Sequence, residues 1–283
     1  MPFKINDIVV RKSHDFDILF KVIDIIENKG EKYYLLYGLT MRIIADAPEE
    51  DLVHATLSRV NEYDEPYQRK AEYLIKKITS SKKFTRRGGM MRSNRQEPYG
   101  KPGSVLHIDG DEGYLNICVD AYKKANINVK GFALPEEEQP AKIKYLLEKY
   151  KPDILVLTGH DSIKNNRDYS DLNNYRNSRY FVEAVNIARN YEPSLDDLVI
   201  FAGACQSHYE ALIAAGANYA SSPNRVLIHC LDPVLVCGKV AYAHINEIVK
   251  IEDLIDHTIT GSSGIGGLQT MGKFRYGVPK GQY

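Results

Sequence analysis

The sequence predicts an α/β protein: a parallel sheet with helices on both faces, preceded by a small β-barrel of SH3 type. Three observations lead there. Short Ile-, Val-, Tyr- and Phe-rich runs crowd the first 55 residues. A basic stretch poor in aliphatic residues follows, up to about residue 102. From Gly103 onward, compact apolar strands alternate with amphipathic helices, the pattern of βα units and a sheet covered twice.

The opening strands are expected at 4–11, 20–26, 33–37 and 42–45, broken by turns such as the one at 28–30. Strands so short and so close favour a small closed sheet of SH3 or Tudor type. Its simplest role is docking or scaffolding. Residues 56–102 read as a linker, with room for one helix over 67–78. Its basic cluster, Lys82, Lys83, Arg86, Arg87, Arg92 and Arg95, reads as a solvated loop, with phosphate contact as the lesser alternative. The third unit spans 103–283. Its strands are expected in SVLHID, VKGFAL, DILVLTG and LVIFAG, and its helices over 112–125, 141–150, 178–190 and 207–215. Residues 225–243 suggest further strands, and 261–272 a flexible or tightly turned segment.

Composition bounds the function. Basic and acidic residues balance at 37 each, so whole-chain charge makes no case for nucleic acid or an anionic membrane. No apolar run has the length that spans a bilayer, and the first residues lack the apolar core of a signal peptide. The four cysteines, Cys118, Cys205, Cys230 and Cys237, have neither CxxC spacing nor the density of a disulfide framework, which points to a reducing, cytoplasmic setting. Cys118 reads as core.

Chemistry is expected where parallel strands end. His160 follows the third strand in ILVLTGHD, and Cys205 follows the fourth in LVIFAGAC. Consecutive βαβ strands are commonly neighbours, so thiol and imidazole can meet across 45 residues of chain. A cysteine at a helix N-terminus would be favoured as thiolate, with His160 as base and later as acid. Backbone amides of Cys205 and of the turn at Gly159 and Asp161 are the candidate oxyanion donors. Read alone, each residue is more often structural; the pairing argues for a dyad. His208 is the competing base. A zinc site from Cys205, His208, His229 and Cys230 lacks paired spacing, so no metal and no cofactor are expected. DGDEG at 109–113 lacks the remaining positions of a calcium loop, and GSSGIGG at 261–267 lacks the Lys-Ser/Thr of a phosphate loop.

Several long motifs carry a family resemblance. KINDIVVRKSHDFDILFKV, VLHIDGDEGYL, KPDILVLTGHD, DLNNYRNSRYFVEAV, LVIFAGACQSHYEALIAAGANYASSP and RVLIHCLDPV together make the chain similar to the YabG family of sporulation-specific cysteine proteases. The strand-His and strand-Ala-Cys arrangement resembles the wider caspase-like peptidases, among them clostripain, gingipain and legumain. The resemblance implies a caspase-like α/β domain and a Cys205/His160 pair. It implies cleavage after arginine in spore coat and cortex-associated proteins, in the mother cell of a sporulating bacterium. Caspase-like peptidases usually have glycine after the histidine; here Asp161 stands there.

An arginine pocket needs a carboxylate that guanidinium can grip in bidentate fashion. Gly203 occupies one familiar position for that acid. Asp109 and Asp111 are therefore the leading candidates, with Asp161 and Asp232 behind them; the simpler role for Asp109 is to cap the following helix. An arginine-specific peptidase carrying RRGGMMRSNR in its linker is also a candidate for cutting itself there. The competing classes are a non-catalytic spore-coat scaffold and a small-molecule amidase with the same dyad.

Overall fold

The computed structural model describes residues 2–28, 30–80, 99–164 and 168–277. The first five strands are β1 (Ile8–Arg11), β2 (Phe20–Asn28), β3 (Glu31–Gly38), β4 (Ile44–Pro48) and β5 (Leu52–His54). They form one antiparallel sheet in the order β4-β3-β2-β1-β5, with a bulge in β2 between Val22 and Asp24. Alternate residues Phe20 and Val22, and Tyr34 and Leu36, point to one side and build a small core with Phe3, Val9, Ala47 and Leu52.

Helix α1 (Leu57–Ser80) is longer than the 12 residues expected at 67–78. Leu74 and Ile78 on its last turns pack on Leu235. The basic cluster at 82–95, and with it the self-cleavage segment RRGGMMRSNR, lies outside the described residues.

The remaining strands and helices are β6 (Tyr99–Lys101), β7 (Val105–Asp109), α2 (Glu112–Lys124), β8 (Val129–Ala133), α3 (Gln139–Tyr150), β9 (Ile154–Thr158), α4 (Ser178–Tyr191), β10 (Val199–Ala202), α5 (Tyr209–Ala214), β11 (Tyr219–Ser221), α6 (Asp232–Tyr242), β12 (Ile248–Val249), α7 (Ile251–Ile255), β13 (Ile265–Gly267), β14 (Thr270–Met271) and β15 (Arg275–Gly277). The central sheet runs β13-β11-β10-β9-β7-β8, parallel throughout except for the antiparallel edge strand β13. β12 pairs with β14, and β6 with β15, as two small ribbons. Strands β7, β9 and β10 are buried along their whole length, which is why they read as continuous apolar runs rather than alternating ones. Val105, Ile154, Val156, Val199 and Phe201 face α2 and α6. Their neighbours Leu106, Ile108, Leu155, Leu157 and Ile200 face α3 and α4.

Two expectations are corrected. The run at 225–243 holds the helix α6, not strands. Pro233 stands in its first turn, where a missing amide costs nothing, and the helix is buried nearly all round, so its apolar run mimics a strand. The segment at 261–272 contributes strand β13 to the sheet edge.

The sheet reverses direction of growth between β7 and β9: β8 lies outside β7, while β9, β10 and β11 extend the other way. Such a switch point opens a crevice at the carboxyl ends of the strands. Asp109 and Asp111 leave β7 there, Glu136 follows β8, His160 follows β9 and Cys205 follows β10.

Candidate active site

His160 and Cys205 line the same cavity, of about 960 Å³, together with Gly110, Glu136, Asp161 and Gln206. β9 and β10 are hydrogen-bonded neighbours with Leu157 opposite Ala202, so the two loops emerge side by side.

His160 is held at three points, its ring by one partner and its backbone by two. Its Nε2 lies 2.8 Å from Asp111 Oδ2. Its amide donates to Glu136 Oε1 at 2.6 Å, and its carbonyl accepts from the Asn177 side chain at 2.8 Å. An ionised carboxylate only accepts, so the ring proton sits on Nε2 and Nδ1 is the free basic nitrogen. Asp111 is itself fixed, since its Oδ1 accepts from Tyr37 Oη and from the Tyr114 amide, both at 2.9 Å. The second of these bonds makes Asp111 the N-cap of α2, the role that the sequence offered to Asp109. Burial acts to raise the Asp111 carboxyl, but the bonds from His160, the Tyr114 amide and Tyr37 outweigh it and hold it below the usual range.

Cys205 sits in a sharp turn. Gly203 has φ +105°, and a Cβ there would come within 2.6 Å of Ser221 Oγ; Gln206 has φ +58°. Ser207 Oγ accepts from the Ala204 amide at 2.9 Å, and Ser222 Oγ accepts from the Gln206 amide at 2.9 Å. The thiol Sγ accepts from the Ile228 amide at 3.2 Å. The expectation of a helix N-terminus fails here: α5 begins only at Tyr209, with His208 as its cap. The thiol is 2% exposed, and burial pushes it up to about 12 despite the Ile228 amide and the Arg42 charge. In this state Cys205 is a neutral thiol.

The amides of Gly159 and Asp161 meet no acceptor among the described residues, whereas that of Cys205 turns toward its own thiol and that of His160 is taken by Glu136. The side chain of Asp161 is fully engaged. Its Oδ1 accepts from the amides of Ser162 and Asn177, and its Oδ2 from the hydroxyls of Ser178 and Ser207. It therefore ties the loop after β9 to α4 and to the cysteine turn, and offers no oxygen to a substrate. His208 is directed elsewhere: Nδ1 accepts from the Ala211 amide, and Nε2 lies 3.0 Å from Ser170 O. Asp232 is buried and accepts from the backbone at His229, Ile259 and Thr260.

Asp109 has an occupant. Arg42, in the turn between β3 and β4, reaches across and donates from Nη1 to Oδ1 at 3.1 Å and from Nη2 to Oδ2 at 2.7 Å. The Asp111 amide donates to Oδ1 at 3.0 Å, Thr158 Oγ1 donates to Oδ2 at 2.8 Å, and His107 lies beside Oδ2. Burial would raise this acid; the guanidinium reverses that and holds it far below the usual range. Neither Arg42 nor Glu136 was marked by the sequence. Arg42 lies 67 residues from its partner in an unremarkable TMRII run, and only its strand-turn position is legible locally.

The chain matches the family described as YabG peptidase U57 over residues 4–279. It belongs to that family. Among curated proteins, the sporulation-specific protease YabG of Bacillus subtilis (strain 168) is 42% identical over 293 residues, covering 99% of each chain. No solved structure matches the chain. The match spans both the antiparallel sheet and the central sheet. No helix among the described residues is long and apolar enough to cross a membrane.

Proposed function

We propose that this chain is a cysteine endopeptidase of sporulation that cuts after arginine, with Cys205 as nucleophile and His160 as general base. The observation that carries the reading is that Cys205 and an imidazole oriented by Asp111 line one cavity at the ends of adjacent strands. Nδ1 of His160 takes the thiol proton, and the thiolate attacks the peptide carbonyl. The oxyanion is received by the Cys205 amide, joined by that of Gly159 or Asp161. Collapse expels the amine, protonated by His160, and leaves a thioester; His160 then deprotonates the water that hydrolyses it. Asp111 is the positioning residue, holding the tautomer and the ring plane.

Preference for arginine is assigned to Asp109, the one sequence candidate that grips a guanidinium bidentately here. Of the others, Asp111 is spent on His160 and Asp161 on four donors. A caspase-like fold and spore coat or cortex proteins as substrates belong to the same proposal, supported by strand order and by the name of the YabG relative.

An inert scaffold is the reading that a neutral, buried thiol favours. The test is a panel of short peptide amides differing at the residue before the cut, run on wild type, Cys205→Ala and His160→Ala. Turnover of arginyl amides lost in both variants is expected. Turnover equal in wild type and Cys205→Ala overturns the mechanism.

A further inference from the structure

The turn that carries Arg42 is bound to the segment between β11 and α6 as a peptide would be. The Arg42 amide donates to Ile228 O at 3.2 Å, and the Cys230 amide donates to Thr40 O at 2.8 Å. Met41 and His229 face each other between them as an antiparallel bridge. This is the pairing of an extended peptide added to an exposed backbone, bonded at alternate residues. The receiving segment also touches the nucleophile, since the Ile228 amide donates to Cys205 Sγ.

The side chain agrees with the main chain. Arg42 places its guanidinium on Asp109, while Arg42, Ile43 and Ile44 line the cavity shared by His160 and Cys205. An arginine thus sits in the acid's grip, and the residue after it lines the cavity that holds His160 and Cys205.

The chain then departs from substrate geometry. The Ile43 amide donates to Met41 O at 2.9 Å, a γ-turn centred on Arg42. The turn closes with the Gly38 amide on Ile43 O at 2.9 Å, and Tyr114 Oη lies 2.7 Å from both Gly38 O and Met41 O. A folded, pinned bond after Arg42 is not the extended one that a nucleophile needs, so the segment resists the cut that its arginine invites.

We infer that residues 38–43 are a built-in pseudosubstrate: Arg42 fills the arginine pocket in cis and keeps the full-length chain latent until the turn is withdrawn. This rests on the reading of Asp109 as that pocket. The alternative is a purely structural latch between the two sheets.

The test compares full-length wild type, Arg42→Lys, Arg42→Gln and Arg42→Ala on a short arginyl amide, with iodoacetamide labelling of Cys205 at neutral pH alongside. We expect kcat/KM and labelling to rise at least tenfold in the Gln and Ala variants and little in Lys, with both gains lost on adding Cys205→Ala. A synthetic peptide of residues 38–44 should then inhibit the Ala variant. Folded Gln and Ala variants no faster than an active wild type would overturn the inference and leave the proposed function standing. Wild type and folded variants all inactive on every amide would instead sink the proposed function. If the Arg42 variants do not fold, Tyr114→Phe decides. It keeps the ion pair but removes the hydroxyl that pins the turn, and KM for the arginyl amide should fall several-fold; an unchanged KM overturns the inference.

Discussion

Arg42 and Asp109 form a bidentate pair, at 3.1 and 2.7 Å, whose two side chains are wholly removed from solvent. The pair joins the turn between β3 and β4 to the carboxyl end of β7, so one contact links the antiparallel sheet to the candidate site. Arg42 also lies over the Tyr114 ring, 5.0 Å from its centroid, with Nε left without a partner among the described residues.

Removing one partner of a buried pair strands the other charge in a poorly solvated place. Asp109→Leu or Arg42→Met should each destabilise the chain by about 3–5 kcal/mol. The double variant Arg42→Met/Asp109→Leu should recover most of that loss, because no buried charge remains. Urea denaturation of the four proteins measures the coupling; additive losses would contradict it.

Asp111→Asn keeps the shape of the His160 partner but can present an amide where a carboxylate stood. The imidazole loses its fixed tautomer and the charge that stabilises its protonated form. We expect kcat on arginyl amides to fall roughly 100- to 10,000-fold, with a small change in KM. Asn caps a helix about as well as Asp, so the N-cap of α2 should survive and the melting temperature should change little.

Gly203→Ala tests the turn that presents the cysteine. At φ +105° an L-residue is strained, and the new Cβ would lie 2.6 Å from Ser221 Oγ and 2.8 Å from Leu212 Cδ1. A loss of roughly 1–3 kcal/mol is expected, together with slower acylation, since Cys205 is two residues away. A variant as stable and as active as wild type would show that the turn has slack.

Burial pushes His229 down to about 4, helped by the nearby Arg42 and Lys70 charges. The folded chain keeps it neutral where the unfolded chain takes up a proton. The stability it contributes is therefore present above about pH 6.5 and is lost as pH falls toward 4, by up to about 3 kcal/mol. His229→Gln should flatten that part of the stability curve. Asp161, Asp232 and Glu136, raised by burial, act in the opposite sense. The difference between the wild-type and His229→Gln curves isolates the histidine.

The positions of His160 and Cys205 were legible because each follows an apolar run that could only be a buried strand. Strands that alternate with helices place such residues at one edge of a sheet. The same rule put Asp109 and Asp111 at that edge, without naming the partner that each meets there. The helix α6 was misread, because a run buried on all sides carries no period to separate helix from strand.

Local sequence thus determined the strands, most helices and which residues gather at the carboxyl edge, since hydrophobic period and strand ends are properties of neighbours along the chain. It did not determine the partners: Asp111 to His160, Asp109 to Arg42, Asp161 to Ser178 and Ser207. Those contacts span 17 to 67 residues, depend on the order of strands in the sheet, and leave no mark in the spacing of residues. The state of Cys205 belongs with them. Its burial, and so its protonation, depends on the packing around Ile228 and on a turn contributed by a different sheet.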